Sequence, residues 1–306
     1  MGRADVWEDG AEMARLLPLR VRRAIRGMRS SRVAGIADAL EALVDPRVRR
    51  GILPPSSLRG YVGAAASFED VGAEFAGYLR DLAGLAAHET LLDYGCGVGR
   101  MALPLTLWLR GSYLGMDVDP RCIDWCRHHI TPTHPNFRFI RLDIRNARYN
   151  PRGRVEPLDV RLPLETVDVA VAASVFTHLR RADTVHLLGE LGRVATRGLI
   201  SAYVLDTEDP RLPVRDGPAR YANAVVPEEM VGYQRDWFEG ALRAAGFDSI
   251  VCLSGRWRGG HGPTEQDLFV VARGEAAHAA PALDRMRRSA GATDEGFSPP
   301  EGPEPA

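Results

Sequence analysis

The chain has 306 residues, of which 45% are hydrophobic and 26% charged, and its formal net charge is −1 at pH 7. This is the composition of a globular protein with one large domain and additions, or two smaller domains, and its charge balance gives no general pull toward nucleic acid or an anionic membrane. All 39 basic residues are arginine, so lysine chemistry such as Schiff-base formation is excluded, and no apolar run reaches the ~18 residues of a membrane span.

At the amino terminus, an acidic start (Asp5, Glu8, Asp9, Glu12) gives way to an arginine-rich run from Arg15 to Arg32. Arg20, Arg22 and Arg23 break its apolar stretches, so it does not read as a secretory signal. A basic amphipathic helix can touch a membrane, but Pro18 and Gly27 interrupt this one, which favours a solvated flank. Ser31 then starts a better helix, with Val33, Ile36, Leu40 and Leu43 on one face and Asp45-Pro46 as its end. After the break at Leu53-Pro54-Pro55, Ser67-Phe68-Glu69-Asp70 has the form of a capping box. Phe68, Val71, Phe75, Tyr78, Leu79 and Leu82 give the following helix a buried side.

The most informative stretch is Leu91-Leu92-Asp93-Tyr94-Gly95-Cys96-Gly97-Val98-Gly99-Arg100. The leucines end a buried strand, and Met101 to Leu109 reads as the helix after it. Three glycines at alternate positions suit a tight turn where backbone must come close to a ligand. Asp93, at the strand's carboxyl end, is placed to accept from a ligand's amine or hydroxyls. Gly97-x-Gly99-x-x-Ala102 also satisfies a dinucleotide fingerprint.

Ser112 to Met116 is a second strand ending at Asp117, eighteen residues after Gly99. A carboxylate there can bind both ribose hydroxyls, with Asp119 as a competitor for the role. Asn136 to Ile140 is a third strand, followed by Asp143 and Ile144. Cys122, Cys126, His128, His129 and His134 lie between, without paired metal-ligand spacing, so no metal is expected. The four cysteines lack a disulfide pattern as well, which fits a cytoplasmic protein. Val167 to Ala173 is an apolar run of the kind found in a fully buried parallel strand, and Ser174-Val175-Phe176-Thr177-His178-Leu179 closes it.

Together these stations resemble the class I S-adenosylmethionine-dependent methyltransferases of the bacterial small-molecule type. The family's acidic-x-Gly-x-Gly-x-Gly turn matches Asp93 to Gly99, and its Gly-x-Asp strand end matches Gly115-Met116-Asp117. Its acidic adenine partner matches Asp143. Leu-Pro before an Asp-led strand, then a serine, an apolar pair and a histidine, matches Leu162-Pro163 through His178. Pro54 to Gly63, with Phe68 and Gly72, also resembles an approach segment of such enzymes, whose leading helices cover the substrate pocket.

Leu187 to Val194 reads as helix and Gly198 to Leu205 as a fifth strand. Residues 206–232 are long, proline-bearing and poor in apolar residues, which suggests a substrate-facing, lid-like insertion. Tyr203, Tyr221 and Tyr233 are aromatic substrate candidates. Trp237 to Ala245, Phe247 to Leu253 and Gln266 to Ala272 follow as helix, strand and strand. From Gly274 the composition turns to that of a disordered tail.

The resemblance implies an α/β fold: a seven-stranded Rossmann-like methyltransferase sheet with helices on both faces and an antiparallel last strand, plus an N-terminal helical cap. The domains expected are a cap over 1–85, a methyltransferase domain over 86–273 and a tail over 274–306. It implies S-adenosylmethionine as cofactor, with S-adenosylhomocysteine as product. The cofactor contacts it implies are Asp93, Gly95, Cys96, Gly97, Gly99, Asp117, Val118, Asp143, Ile144 and Ser174. His178 becomes the catalytic candidate, as general base or as a positioning residue.

The Asn/Asp-Pro-Pro-aromatic motif of nucleobase-amine methyltransferases is not present at Ala173-Ser174-Val175-Phe176. Nor does that strand end carry the aspartate of magnesium-dependent catechol-type enzymes or the paired glutamates of arginine methyltransferases. By elimination the acceptor is a small molecule, most simply a hydroxyl in a secondary-metabolite or saccharide pathway. N- or carboxyl-methylation, a nicotinamide-dependent oxidoreductase and a non-catalytic binding subunit remain as alternatives. A nucleic-acid partner is not expected, and the oligomeric state is left open, a homodimer included.

Overall fold

The computed structural model describes residues 32–157, 161–259 and 261–279. The arginine-rich run before residue 32 and the tail beyond 279 lie outside them, while Gly274–Ala279, expected to begin the disordered tail, form a 3₁₀ helix. The chain divides into two compact units at Phe68/Glu69, earlier than the boundary at 85 expected from the sequence.

The first unit contains α1 (Arg32–Val44), α2 (Pro46–Arg49) and α3 (Ser56–Arg59). Asp45 caps α2 by accepting from the Arg47 amide at 2.8 Å. The inner side of α1 is its polar one. Asp38 accepts from the Ser57 amide at 3.1 Å, and Glu41 accepts from the Ser56 amide at 2.6 Å and pairs with Arg59. Ile36, Leu40 and Leu43 share the opposite face and are exposed. Periodicity located the apolar stripe but not which side packs, because the acidic side chains satisfy the amides that begin α3. Ser67 likewise departs from the capping-box reading, since its hydroxyl donates back to the Ala64 carbonyl at 3.2 Å.

The second unit is built on a sheet of ten strands among the described residues. Its main run is β3 (Phe137–Arg141), β2 (Tyr113–Asp117), β1 (Leu91–Tyr94), β4 (Val167–Ala172) and β5 (Ala195–Leu205), all parallel. β10 (Asp267–Ala272) inserts antiparallel beside β5 and pairs outward with β9 (Ser249–Leu253). These seven strands form the expected sheet.

The other three come from the stretch read as a lid. β8 (Val231–Gln234) runs parallel to the far end of β5, and β7 (Ala219–Tyr221) and β6 (Val214–Asp216) complete an antiparallel edge. Residues 206–232 therefore extend the sheet. The β6–β7 hairpin turns through Gly217-Pro218, with Gly217 at φ +56. A glycine at the first position of a two-residue loop is a hairpin signal in its own right.

Helices flank the sheet: α4 (Phe68–Asp81), α5 (Ala102–Leu105), α6 (Pro120–His129), α7 (Arg181–Val194) and α8 (Arg235–Ala244). α5 is a single turn, much shorter than the 101–109 helix expected. Leu188, Leu191 and Val194 of α7, with Phe238 and Leu242 of α8, pack on Ile200 and Val204 of β5 and on Tyr233. This core anchors β4 and β5, whose ends carry Ser174 and Tyr203. In α4, Gly72 lets the helix approach the glycine turn, since a β-carbon there would lie 2.3 Å from the Arg100 carbonyl oxygen.

Candidate active site

The parallel strands end side by side, and the sequence-expected residues lie at those ends. Register places Asp93 opposite Gly115 of β2 and Val171 of β4, and Asp117 opposite Arg141 of β3. The amides of Gly95 and Cys96 both donate to the Met116 carbonyl, at 2.7 and 3.0 Å, so the turn after β1 is hooked onto β2. Gly95 and Gly99 hold φ of +81 and +78. A β-carbon at 95 would lie 2.4 Å from Val175 Cγ2, and one at 99 would lie 2.9 Å from Ile130 Cδ1. Cys96 is buried beneath the turn, its thiol pushed well up by burial, so what it can offer a ligand is backbone.

Asp93 is fully buried. Tyr113 donates its hydroxyl to Oδ2 at 2.5 Å, while Oδ1 has no hydrogen-bond partner. Burial outweighs the Tyr113 bond and pushes this carboxyl up to about 7. Asp117 sits at the end of β2 with an amide on each oxygen, Gly97 at 2.8 Å and Asp119 at 2.8 Å. The Val118 amide adds to the same carboxylate, yet burial dominates and raises it to about 6.

Asp119, the competitor, is committed elsewhere. It caps α6 by accepting from the Arg121 amide at 2.9 Å, pairs with the Arg121 guanidinium at 2.6 Å and is buried. Asp143 accepts from Arg154 at 2.7 Å, Arg141 at 3.1 Å and Asn150 at 3.3 Å. The Arg154 bond first, then Asn150, holds it below the usual carboxylate range. Its neighbour Ile144 is buried and bridges to Val155.

At the end of β4, Ser174 is the one non-glycine residue with positive φ (59°) among the described residues. Such a conformation costs ~1–3 kcal/mol and marks a place where the surroundings over-determine the backbone. The turn of 3₁₀ helix Phe176–His178 follows. His178 Nδ1 lies 3.0 Å from the Glu228 carbonyl oxygen, and its own carbonyl accepts from Asn146 at 3.2 Å. Tyr149 meets the imidazole edge-on, centroids 5.2 Å apart, and Arg148 covers the Tyr149 ring and donates to the Glu229 carbonyl at 2.9 Å. Burial first, then the Arg148 charge, lowers His178 to about 4.

The three tyrosines separate. Tyr203 is partly exposed, stacks obliquely on Trp257 at 4.9 Å and is hydrogen-bonded to Gln266. Tyr221 and Tyr233, expected to face substrate, are core residues instead. The Tyr233 hydroxyl is fixed by Thr184 at 2.7 Å and by the carbonyls of Phe176 and Leu179, and that of Tyr221 donates to Asp216 at 2.7 Å. Both belong to strands that a lid would not have formed.

Sequence reading missed Asn146, Arg148 and Tyr149 around His178, and Ser201 and Gln266 around Ser174. Chain separations of 27 to 92 residues bring the latter together, and no local pattern announces them.

A run of parallel strands with a glycine turn and carboxylates at its strand ends is a Rossmann-like arrangement. Residues 91–198 match the family model described as a methyltransferase domain. Over that stretch the chain is similar to a methyltransferase domain.

Similar solved structures include the N-terminal domain of EvdMO1 with SAH bound, at 18% identity, 66% of this chain and 80% of that one, with a TM-score of 0.46. A TehB-like SAM-dependent methyltransferase from Corynebacterium glutamicum is 17% identical over 70% and 91%, at 0.43. Streptomyces venezuelae DesVI is 15% identical over 70% and 95%, at 0.45. Among the described residues, no helix is long and apolar enough to cross a membrane.

Proposed function

We propose that the chain methylates a hydroxyl of a small molecule, with His178 as general base, and that it works in the cytoplasm, where its four free cysteines would persist. The observation that carries this reading is the bond from His178 Nδ1 to the Glu228 carbonyl. A carbonyl only accepts, so Nδ1 bears the proton and Nε2 keeps its lone pair. The ring also meets the Glu229 backbone.

The cofactor fits the residues present. The turn at Gly95 to Gly99 leaves room for close backbone approach, Asp117 offers a carboxylate to a ribose diol, and Asp93 Oδ1 is a buried acceptor with no partner. The Gly97, Asp119 and Val118 amides fix the Asp117 carboxylate in advance. Asp143, Ile144, the backbone of Cys96 and Ser174 itself complete the set assigned to it. Tyr203 stands on the acceptor side.

When bound, S-adenosylmethionine supplies an electrophilic methyl group. The protein's task is then alignment, worth up to ~7–11 kcal/mol in ideal cases, together with removal of the acceptor's proton. A neutral imidazole can take that proton at Nε2. A carboxylate acceptor would need no base, which is why the neutral, oriented imidazole favours a hydroxyl.

The test uses methyl-labelled cofactor and a panel of phenols, sugars, amines and carboxylic acids. Turnover confined to hydroxyls, and cut ~100-fold or more in His178→Ala with cofactor affinity kept, supports the reading. Equal turnover in the variant removes His178 from the chemistry.

A further inference from the structure

Ser174 is held in place by a closed ring of hydrogen bonds drawn from three neighbouring strands. Its amide donates to Ser201 Oγ at 2.8 Å, Ser201 Oγ donates to Gln266 Oε1 at 2.7 Å, and Gln266 Nε2 donates to Ser174 Oγ at 2.9 Å. Ser201 lies on β5, and Gln266 immediately precedes β10. Gln266 also bonds the Tyr203 phenol.

The direction of the ring is determined. Ser201 is 2% exposed, and its oxygen already accepts from the Ser174 amide. Turning the Gln266 amide around would leave the Ser201 hydrogen buried without an acceptor, which costs ~1–3 kcal/mol. Gln266 therefore presents its oxygen to Ser201 and its NH₂ to Ser174. The Ser174 oxygen already accepts from Gln266, and its own hydrogen has no acceptor among the described residues. Ser174 is partly exposed, so that hydrogen is available to a ligand.

We propose that Gln266 and Ser201 are positioning residues which hold Ser174 in its left-handed conformation and direct its hydroxyl hydrogen to an acceptor atom of the bound cofactor. This rests on the placement of the cofactor at these strand ends. The ring assigns a task to the residue that leads into β10: it reads the cofactor side through Ser174 and the acceptor side through Tyr203.

The test is a double-mutant cycle read by calorimetric binding of S-adenosylhomocysteine, which needs no acceptor. In Gln266→Glu, one carboxylate oxygen still serves Ser201, but the other can only accept, so it captures the Ser174 hydrogen. Affinity should fall about tenfold, the scale of one lost hydrogen bond. Ser174→Ala should lose a similar amount, and the double variant should be no weaker than Ser174→Ala. Ser201→Ala breaks the ring without a new charge and should show the same dependence on Ser174, which covers the case in which Gln266→Glu does not fold.

A merely structural role would lower stability alike in both backgrounds and multiply the losses to about a hundredfold. That multiplication, or wild-type affinity in both Gln266→Glu and Ser201→Ala, overturns the proposal. Failure of the wild-type protein itself to bind S-adenosylhomocysteine would be a different result, overturning the cofactor placement and the ring with it.

Discussion

His178 Nδ1 and the Glu228 carbonyl oxygen are 3.0 Å apart, so a carbonyl from the segment before β8 sets the tautomer of an imidazole after β4. Glu228 is itself held: its carboxylate is buried and pairs with Arg180 at 2.9 Å. The sheet extension at β6–β8 thereby orients the proposed base.

The first prediction concerns pH. With His178 lowered to about 4 by burial and by Arg148, the ring is neutral throughout the physiological range. Turnover should show no limb from His178 above about pH 5 and should fall only on further acidification. The sign for stability follows from the same shift. The unfolded ring binds its proton near 6.5 and the native ring only near 4, so this contribution is present above about 6.5 and lost as pH falls toward 4. A turnover inflection near pH 6.5 that disappears in His178→Gln would show that the native ring titrates normally, contrary to this expectation.

Asp117 gives the second. Its carboxyl is raised to about 6, while a ribose diol donates to the ionised form. Affinity for S-adenosylhomocysteine should therefore weaken below pH 6, approaching tenfold per unit. For the empty protein the sign is opposite to that of His178: the stability associated with a protonated Asp117 is present at acid pH and lost as pH rises from about 4 through 6. Asp117→Asn should cost about 10- to 100-fold in affinity, the scale of a hydrogen bond to a charged group. Asp119→Ala should instead cost ~1 kcal/mol of stability through the lost α6 cap. Calorimetry on both variants decides, and a larger affinity loss at Asp119 would reverse the assignment.

The sheet was legible because its information is local. Each parallel strand is a short apolar run ending in a residue that stands out, so Asp93, Asp117 and Ser174 could be placed within a residue or two of their strand ends. The three added strands were not read, since each has only three or four residues and little periodicity to offer. Tyr221 and Tyr233 were misplaced for the same reason: an aromatic residue in a polar stretch looks exposed until the stretch pairs with β5. The ring at Ser174 and the shell around His178 join residues 27 to 92 apart, and only the fold brings them together.

The third prediction addresses the turn. Gly95 combines φ +81 with a would-be β-carbon 2.4 Å from Val175 Cγ2. Gly95→Ala must strain the backbone and displace Val175, the residue beside Ser174. We expect a stability loss of ~1–3 kcal/mol and cofactor binding weakened beyond calorimetric detection. Truncating the neighbour in Gly95→Ala/Val175→Ala should restore part of the stability but not the backbone conformation, so binding should stay weak. Full recovery of binding would mean that steric contact, and not φ, makes glycine necessary here.

The fourth prediction concerns the carboxylate beneath the turn. Tyr113 is wholly buried, stacked on Phe137 at 4.8 Å, and among the described residues its hydroxyl is the one donor to Asp93. Tyr113→Phe preserves the stacking and removes the bond, leaving both Asp93 oxygens without a partner. That bond lowers the Asp93 carboxyl, which burial holds at about 7, so its loss should raise the value further and leave the aspartate protonated at neutral pH. Unfolding in urea should show a loss of ~1–3 kcal/mol at pH 8, the cost of an unsatisfied buried acceptor. The loss should shrink toward pH 5, where Asp93 carries a proton in both proteins and no buried charge is left uncompensated. A loss independent of pH across that interval would show that the Tyr113 hydroxyl serves packing, and that the charge on Asp93 is balanced by other groups.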